Sequence, residues 1–553
     1  MGIHLTAMIC KITNRQFEIT PAEIALCDRM GIPYPTTCRE ERLRTQLAGR
    51  NEWGLYPRKC DATGEKILSV YRPDSPFIVY KNEYWWGSAW DAVSYGRDID
   101  FAKPFFQQFA ELQKVVPREG TTVFNSTNCE YNHHIRESKN CYLNSLIARC
   151  EDVYYSYWVV GDKDIYDCLC TNKSTLCYWC GDINNGYGCI AVEESNNCSD
   201  CYFSFQLRGC DHCIFCTNLA TKSYYIFNQK CTREEFESMK NKLFNGSYQT
   251  WTQSYEKFSE MKKQTPHRFM HSLNHENCTG DHIYNCKNCH DCYDSFNSED
   301  CLNGLSYDSS KDVHNSYSAG WTGCEVIYGC TVMRGSQDCA FCTYCWYSSE
   351  LRYCDSCVSC ENCFGCIGLR HKKYCILNKQ YSREEYENLV PRIIELMSRQ
   401  GEWGEFFPPW LLPFAYNETA ANDYMPLTEH EAVKLGYRWL TKNKKEYIPS
   451  TMANIPDNIS EVSENITKEI LACAHCSKNY KIIEKELKFY KTIGLPIPRL
   501  CPSCRNAMRF AAHNPCKLYK RSCAKCEAGI ETTYVPDRPE TVYCEKCYLE
   551  TVY

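Results

Sequence analysis

The chain has 553 residues, more than one hydrophobic core organises, so several units are expected. Hydrophobic residues make up 44% and charged residues 24%, ordinary for a folded protein, and the net charge of −6 points the whole chain at no polyanion. The unusual values are 43 Cys and 41 Tyr. A chain this long, with no apolar signal core in Met1 to Asn14, argues against an exported disulfide protein and for a reducing, cytoplasmic setting. No run of about 18 apolar residues offers a membrane span.

The first unit, residues 1–120, is a copy of the last. Residues 10–80 align without a gap on residues 473–543, pairing Cys10 with Cys473, Gly31 with Gly494, Cys38 with Cys501, Tyr56 with Tyr519 and Cys60 with Cys523. The N-terminal copy keeps Cys10, Cys38 and Cys60, but Thr13, Glu41 and Thr63 stand where its twin has the second cysteine of each pair, and Lys81 and Tyr84 replace the last pair. Two full metal sites cannot be built there. The copy is expected to fold by packing, with Trp53, Trp85, Trp86 and Trp90 as apolar surface, and only Cys10, Cys27 and Cys38 remain as a residual metal set.

Two cysteine- and tyrosine-rich arrays follow, at 121–226 and 276–378. They repeat each other, with Cys210, Cys213 and Cys216 falling on Cys360, Cys363 and Cys366. Within the arrays Cys180, Cys189, Cys198 and Cys216 lie on a nine-residue ladder, as do Cys330, Cys339, Cys357, Cys366 and Cys375. A period of nine suggests strand plus turn, and two such units make a coil of about 18 residues whose equivalent positions stack one strand spacing apart. About five coils of a β-solenoid are therefore expected in each array. The alternative is a set of irregular zinc knuckles without a common axis.

Cys354, Cys357, Cys360, Cys363 and Cys366 come at three-residue steps, dense enough to suggest additional metal, as zinc or an iron–sulfur cluster. The competing reading is a ladder of reduced thiols packed inside a narrow solenoid.

Each array ends in a helix-start signal. Thr232 with Glu235, and Ser382 with Glu385, have the spacing of a capping box, so helical stretches are expected in the linkers 227–275 and 379–470. His267, His271 and His275 sit four apart, followed by Cys278, and a helix would align them on one face as a transition-metal stripe or a solvated face.

In the last unit, 471–553, the spacings are Cys473-x2-Cys476-x24-Cys501-x2-Cys504 and Cys523-x2-Cys526-x17-Cys544-x2-Cys547. A two-residue gap lets both thiolates of a tight turn face one ion, and two such turns complete a tetrahedron, so two four-cysteine zinc sites are expected. The run Cys473-x2-Cys476, Phe489-Tyr490, Gly494, Pro498, Cys501-Pro-Ser-Cys504-Arg505 resembles the probable zinc-ribbon domain family. The whole layout, a ribbon at each end of cysteine-rich repeats, resembles cysteine-rich zinc-ribbon repeat proteins of bacteria of the candidate phyla radiation. The resemblance implies zinc held by ribbons and brings no activity with it.

Between Lys485 and Lys525 stand ten lysines and arginines opposed only by Glu486. Such a run can contact a phosphate backbone, with Arg505, Arg509, Lys517, Lys520 and Arg521 as the candidate nucleic-acid-binding residues, or it can be a solvated surface. Phosphate-loop, nucleophile-elbow and zinc-protease signatures are missing from the sequence, and a four-cysteine site leaves no open coordination position, so no enzyme activity is expected.

The expected fold class is mainly β: two cysteine-rich β-solenoid-like arrays with helical linkers, flanked by a degenerate and an intact double zinc ribbon. The expected function is a cytoplasmic, non-enzymatic scaffold contacting RNA, DNA or a ribonucleoprotein through the basic ribbon, without a membrane partner. A metal-storage or redox protein using stacked thiolates, and a self-assembling homo-oligomeric structural protein, are the other readings.

Overall fold

The structure, a computed structural model, describes residues 6–320, 323–441, 447–452 and 454–552; the first residues of the 1–120 unit, part of the 379–470 stretch and Tyr553 lie outside the described residues. The fold is mainly β, with few helices.

A three-residue rhythm builds the two arrays. Asn140, Leu143, Leu146, Arg149, Asp152, Tyr155 and Trp158 all take the left-handed conformation, at φ of 53–58°. The residue after each (Cys141, Asn144, Ile147, Cys150, Val153, Ser156, Val159) is buried. Every third residue thus bends the chain and every third faces inward.

Four triplets bring the chain back beside itself. Strand Tyr157–Val160 pairs in parallel with Leu169–Asn172, Tyr157 opposite Leu169, and that strand pairs with Gly181–Asn184, Leu169 opposite Gly181. In the second array Glu361–Phe364 pairs with Lys373–Ile376, Cys363 opposite Cys375. The pairing interval is therefore twelve residues, which corrects the expected coil of eighteen. The nine-residue ladder is three triplets: the Cys180 thiol contacts the Cys189 carbonyl at 3.3 Å and the Tyr178 carbonyl at 3.4 Å, and the Cys354 thiol contacts the Cys363 carbonyl at 3.4 Å.

The left-handed conformation costs an L-residue roughly 1–2 kcal/mol in a regular run, least for Asn and Asp. Ladders of like side chains one strand spacing apart offset it. Asn128 bonds to Asn140 at 3.0 Å and Asn185 to Asn197 at 2.9 Å. Phe203, Phe215 and Phe227 stack at 5.3 and 5.1 Å, and Phe341 stacks on Tyr353 at 4.9 Å.

The first array is one 14-stranded sheet; the second divides into sheets of six and seven strands. Extra residues explain part of the difference, since Ser310 pairs with Cys324 and Tyr317 with Thr331, two residues beyond the regular interval.

Helix Arg233–Leu243 follows the first array and helix Arg383–Arg399 the second, each with the expected capping box formed, at Thr232/Glu235 and Ser382/Glu385. The histidine stripe is not helical. Helix Tyr248–Gln264 stops before Pro266, and His267–Arg268 and Ser272–Leu273 are strands, so His267, His271 and His275 share no helix face.

The two end modules have matching elements at the offset of the sequence repeat. Helices Pro21–Met30 and Arg39–Ala48 correspond to Glu484–Ile493 and Pro502–Ala512, and hairpin Tyr56–Lys59/Lys66–Ser69 to Tyr519–Ser522/Gly529–Thr532. Gly31 and Gly494 end the first helix of each, at φ of 63° and 75°.

Each module docks on the distant array. The N-terminal module packs its helices on the second array, where Glu23 pairs with Arg42 at 3.1 Å and accepts from Asn315 at 2.9 Å, while Arg39 meets Asp291 at 2.8 Å. The C-terminal module packs on the first array around Asp167. A short strand then ties each module to the other array's start: Val79–Tyr80 to Arg118–Glu119, and Val542–Tyr543 to His267–Arg268, the latter backed by Arg268–Glu545 at 2.6 Å. No helix among the described residues is long and apolar enough to cross a membrane.

Candidate metal centres

A hairpin tip, held by the Cys473 N–H to the Lys478 carbonyl at 2.9 Å, turns Cys473 and Cys476 to one point. The start of helix Pro502–Ala512 brings Cys501 and Cys504 to the same point, and the four sulfurs lie within 4.8 Å of one another. Cys523, Cys526, Cys544 and Cys547 form a second such group, from hairpin Tyr519–Ser522/Gly529–Thr532 and the start of helix Glu545–Val552. Cys476 and Cys501 Sγ are 3.7 Å apart, as are Cys526 and Cys544 Sγ. A tetrahedral ion with metal–sulfur bonds of about 2.3 Å needs sulfur–sulfur edges of about 3.8 Å. Both groups fit a metal ion and are compatible with zinc ribbons.

The thiols are prepared for metal. Burial pushes the Cys473 thiol up, but the N–H groups of Cys501, Cys476 and His475 outweigh it and bring it down to about 6. Cys523 reaches about 6 in the same way, from the N–H groups of Cys544, Cys526 and Lys525 against burial. The crowded partners are pushed the other way, Cys547 up to about 12 by burial and by Cys526 and Cys544. A dication bound there would reverse that repulsion and hold all four as thiolates.

The N-terminal copy keeps the backbone of this site without its ligands. The Cys10 N–H bonds to the Arg15 carbonyl at 2.8 Å and the Cys60 N–H to the Glu65 carbonyl at 2.8 Å, the same hairpin tips. The Lys81 N–H points at Cys60 Sγ at 3.3 Å, as the Cys544 N–H points at Cys523 Sγ at 3.3 Å. Cys10, Cys27 and Cys38 are not a metal-holding group among the described residues. Of the four tryptophans, Trp85 is fully packed, against Trp86 and Trp90.

Cys354, Cys357, Cys360, Cys363 and Cys366 are all buried, and none belongs to a metal-holding group among the described residues. Their sulfurs face carbonyls, as Cys357 does to Asp355 at 3.6 Å and Cys366 at 3.5 Å, and also neighbouring thiols, as Cys363 does to Cys360 and Cys366. All 43 cysteines are free of disulfides.

The basic run is largely paired within the molecule, its arginines buried or half-buried and its lysines at the surface. Arg505 and Arg509 are buried, which corrects their assignment to a phosphate contact. Asp167, fully buried, meets Arg505 at 3.1 Å and Arg509 at 2.8 Å; Glu486 meets Arg505 at 3.3 Å and accepts from the Tyr155 and Tyr490 hydroxyls at 2.9 and 2.7 Å. Arg521 donates to the Val535 and Glu540 carbonyls at 3.3 and 3.1 Å. Lys485, Lys491, Lys517 and Lys525 pair with Asp152, Glu464, Glu40 and Glu550. Lys520 is exposed.

No family model matches the chain, and no curated protein is significantly similar to it.

Two features escaped the sequence reading because their residues follow no motif spacing. One is a second pair of ligand groups, Cys170/Asp182/His513 and His271/Asp281/His282. The other is a cavity of about 300 Å³ lined by Trp86, Trp158, Trp346, Arg50 and Arg334 among others.

Proposed function

We propose that this protein is a zinc-braced scaffold: two β-solenoids of twelve-residue coils, held side by side by one module at each end, with zinc locking the C-terminal one. The observation that carries this reading is the pair of closed four-cysteine groups in a module whose helices insert Arg505 and Arg509 under the first array. Four thiolates fill a tetrahedral ion's coordination sphere, so these zinc ions hold structure and take no substrate. Fold alone does not decide what a scaffold carries.

A basic module on an acidic chain first suggested a nucleic-acid partner. The ion pairs favour a different cause for the charge segregation: basic residues of the ribbon are neutralised by acidic residues of the first array, the linker, the N-terminal module and the ribbon itself. The storage reading is weakened because the inward thiols of the arrays, although they touch one another, close no group of four among the described residues.

The test is metal content of the anaerobically purified chain. Cys473→Ser with Cys476→Ser should remove one zinc, Cys523→Ser with Cys526→Ser another, and Cys357→Ala none, about one ion per four-cysteine group. Loss of metal on Cys357→Ala would turn the reading toward storage.

A further inference from the structure

Where the two arrays and the C-terminal module meet, three segments place ligand atoms around one point. Cys170 and Asp182 stand one twelve-residue interval apart on the first array, at left-handed positions with φ of 54° and 52°. His513 caps helix Pro502–Ala512, whose first turn carries Cys504 of a four-cysteine group. The sulfur, a carboxylate oxygen and a ring nitrogen lie within 4.8 Å of one another.

His513 Nδ1 faces the Asn514 carbonyl at 3.3 Å, the contact that fixes the tautomer of a metal-bound imidazole and leaves the other nitrogen to face the triad. That other nitrogen, Nε2, is buried, makes no hydrogen bond of good geometry, and meets only the Asp182 carboxylate, as a long ion pair of 3.5 Å. A buried polar atom so loosely held gains from a firmer partner, and a metal ion between the two groups would supply it.

The neighbouring group differs. His271 gives Nε2 to Glu194 at 2.7 Å and Nδ1 to Asp281 at 2.9 Å, and Asp281 also accepts the Thr533 hydroxyl at 2.5 Å. The polar atoms of His271 and Asp281 are satisfied, so this pair braces the junction. His282 links the two groups, its ring stacked on His271 at 4.8 Å and on His513 at 5.5 Å.

We propose that Cys170, Asp182 and His513 bind a third metal ion, a borderline divalent cation of the zinc and cobalt class, between the first array and the C-terminal module. A thiolate, an imidazole and a carboxylate together suit that class better than magnesium or calcium, which take oxygen. With three protein ligands the ion keeps a fourth position, and a cavity of about 40 Å³ lined by Asp182, Glu194, His282 and His513 adjoins it. That volume admits water, which needs roughly 10–15 Å³. Unlike the closed four-cysteine sites, this one exposes its ion to a small ligand.

The test uses the full chain, loaded anaerobically with excess cobalt(II) and freed of unbound metal. About three ions per chain are expected, falling to about two in C170S/D182N while the strong thiolate–cobalt absorption of the four-cysteine sites is kept. Azide added to the wild type should perturb the cobalt spectrum only when the third ion is present. Two ions in the folded wild type would overturn the proposal, and so would three in the double variant. If the double variant does not fold, the wild-type count and the azide response decide. Failure of the four-cysteine sites themselves would show separately, as loss of the strong thiolate absorption.

Discussion

The two end modules share a fold and differ in what holds it. In the C-terminal module, eight thiols in two groups stand ready for metal; in the N-terminal module the same hairpin tips and helices remain around Cys10, Cys38 and Cys60 alone. Apolar packing against an array is common to both: the N-terminal helices bury Leu26, Met30, Leu43 and Leu47 in one cluster with Phe105, Phe109, Tyr328 and Tyr353, and the C-terminal module buries Leu487, Phe489 and Tyr490 with Tyr155, Tyr166 and Tyr178. Only the N-terminal module is left to rely on that packing without a complete ligand set. Both modules also keep a buried glutamate–arginine pair at matching positions, Glu23 with Arg42 and Glu486 with Arg505. Docking is the feature common to the two, and a complete metal-ligand set is what sets them apart.

The largest effect should come from the ligands. Cys501→Ser breaks a site of the kind that contributes roughly 10–16 kcal/mol of apparent binding energy, enough to unfold the module, whereas the matching Cys38→Ser should cost about 1–3 kcal/mol and leave its module folded. Limited proteolysis of the two variants, mapped by peptide masses, checks this; equal sensitivity at both ends would remove the distinction.

Next come the docking charges. Asp167→Asn leaves two buried arginines short of a partner and should cost about 3–5 kcal/mol in urea unfolding. Glu23→Gln removes the charge facing one arginine but keeps a hydrogen-bonding group for Asn315, so about 1–3 kcal/mol is expected. The reverse order would mean that the N-terminal dock bears more of the load.

The comparison can also be sharpened by restoring what is missing. T13C with E41C rebuilds Cys-x2-Cys pairs at Cys10 and Cys38 on hairpin and helix positions that already match the twin. About one additional ion per chain is expected by elemental analysis. No gain would show that packing has closed the old site.

The response to pH needs no substitution. Cys473 and Cys523 are held down to about 6 from an ordinary value of 9.0, so their stabilising effect is complete above that ordinary value and is lost as pH falls through 6. Metal should stay bound at neutral pH and be released as protons compete below about pH 6. A zinc-indicator titration reads the release; retention of both ions at pH 4 would contradict it.

Much of this was legible in the chain. The 463-residue offset between Cys10 and Cys473 placed both modules, the four Cys-x2-Cys pairs placed both metal groups, and Thr232 and Ser382 placed the helix starts. The coil length was not, because the cysteine spacing samples the inward triplets at intervals of three and does not count the sides of a coil. The left-handed residues were the better signal: Asn125, Asn128, Asn140, Asp152, Asp164 and Asp167 all fall in one phase of three. The fate of the basic run was hidden for another reason. Asp167 lies more than 300 residues from Arg505 and Arg509, and only the crosswise docking brings them together.

Hydrogen exchange on the full chain, with and without a strong chelator, tests the central claim most directly. Metal removal should abolish protection in 471–552 and loosen the first array around Asp167, while 6–80 and the second array stay protected as before. Protection lost equally from both end modules, or from neither, would contradict the account.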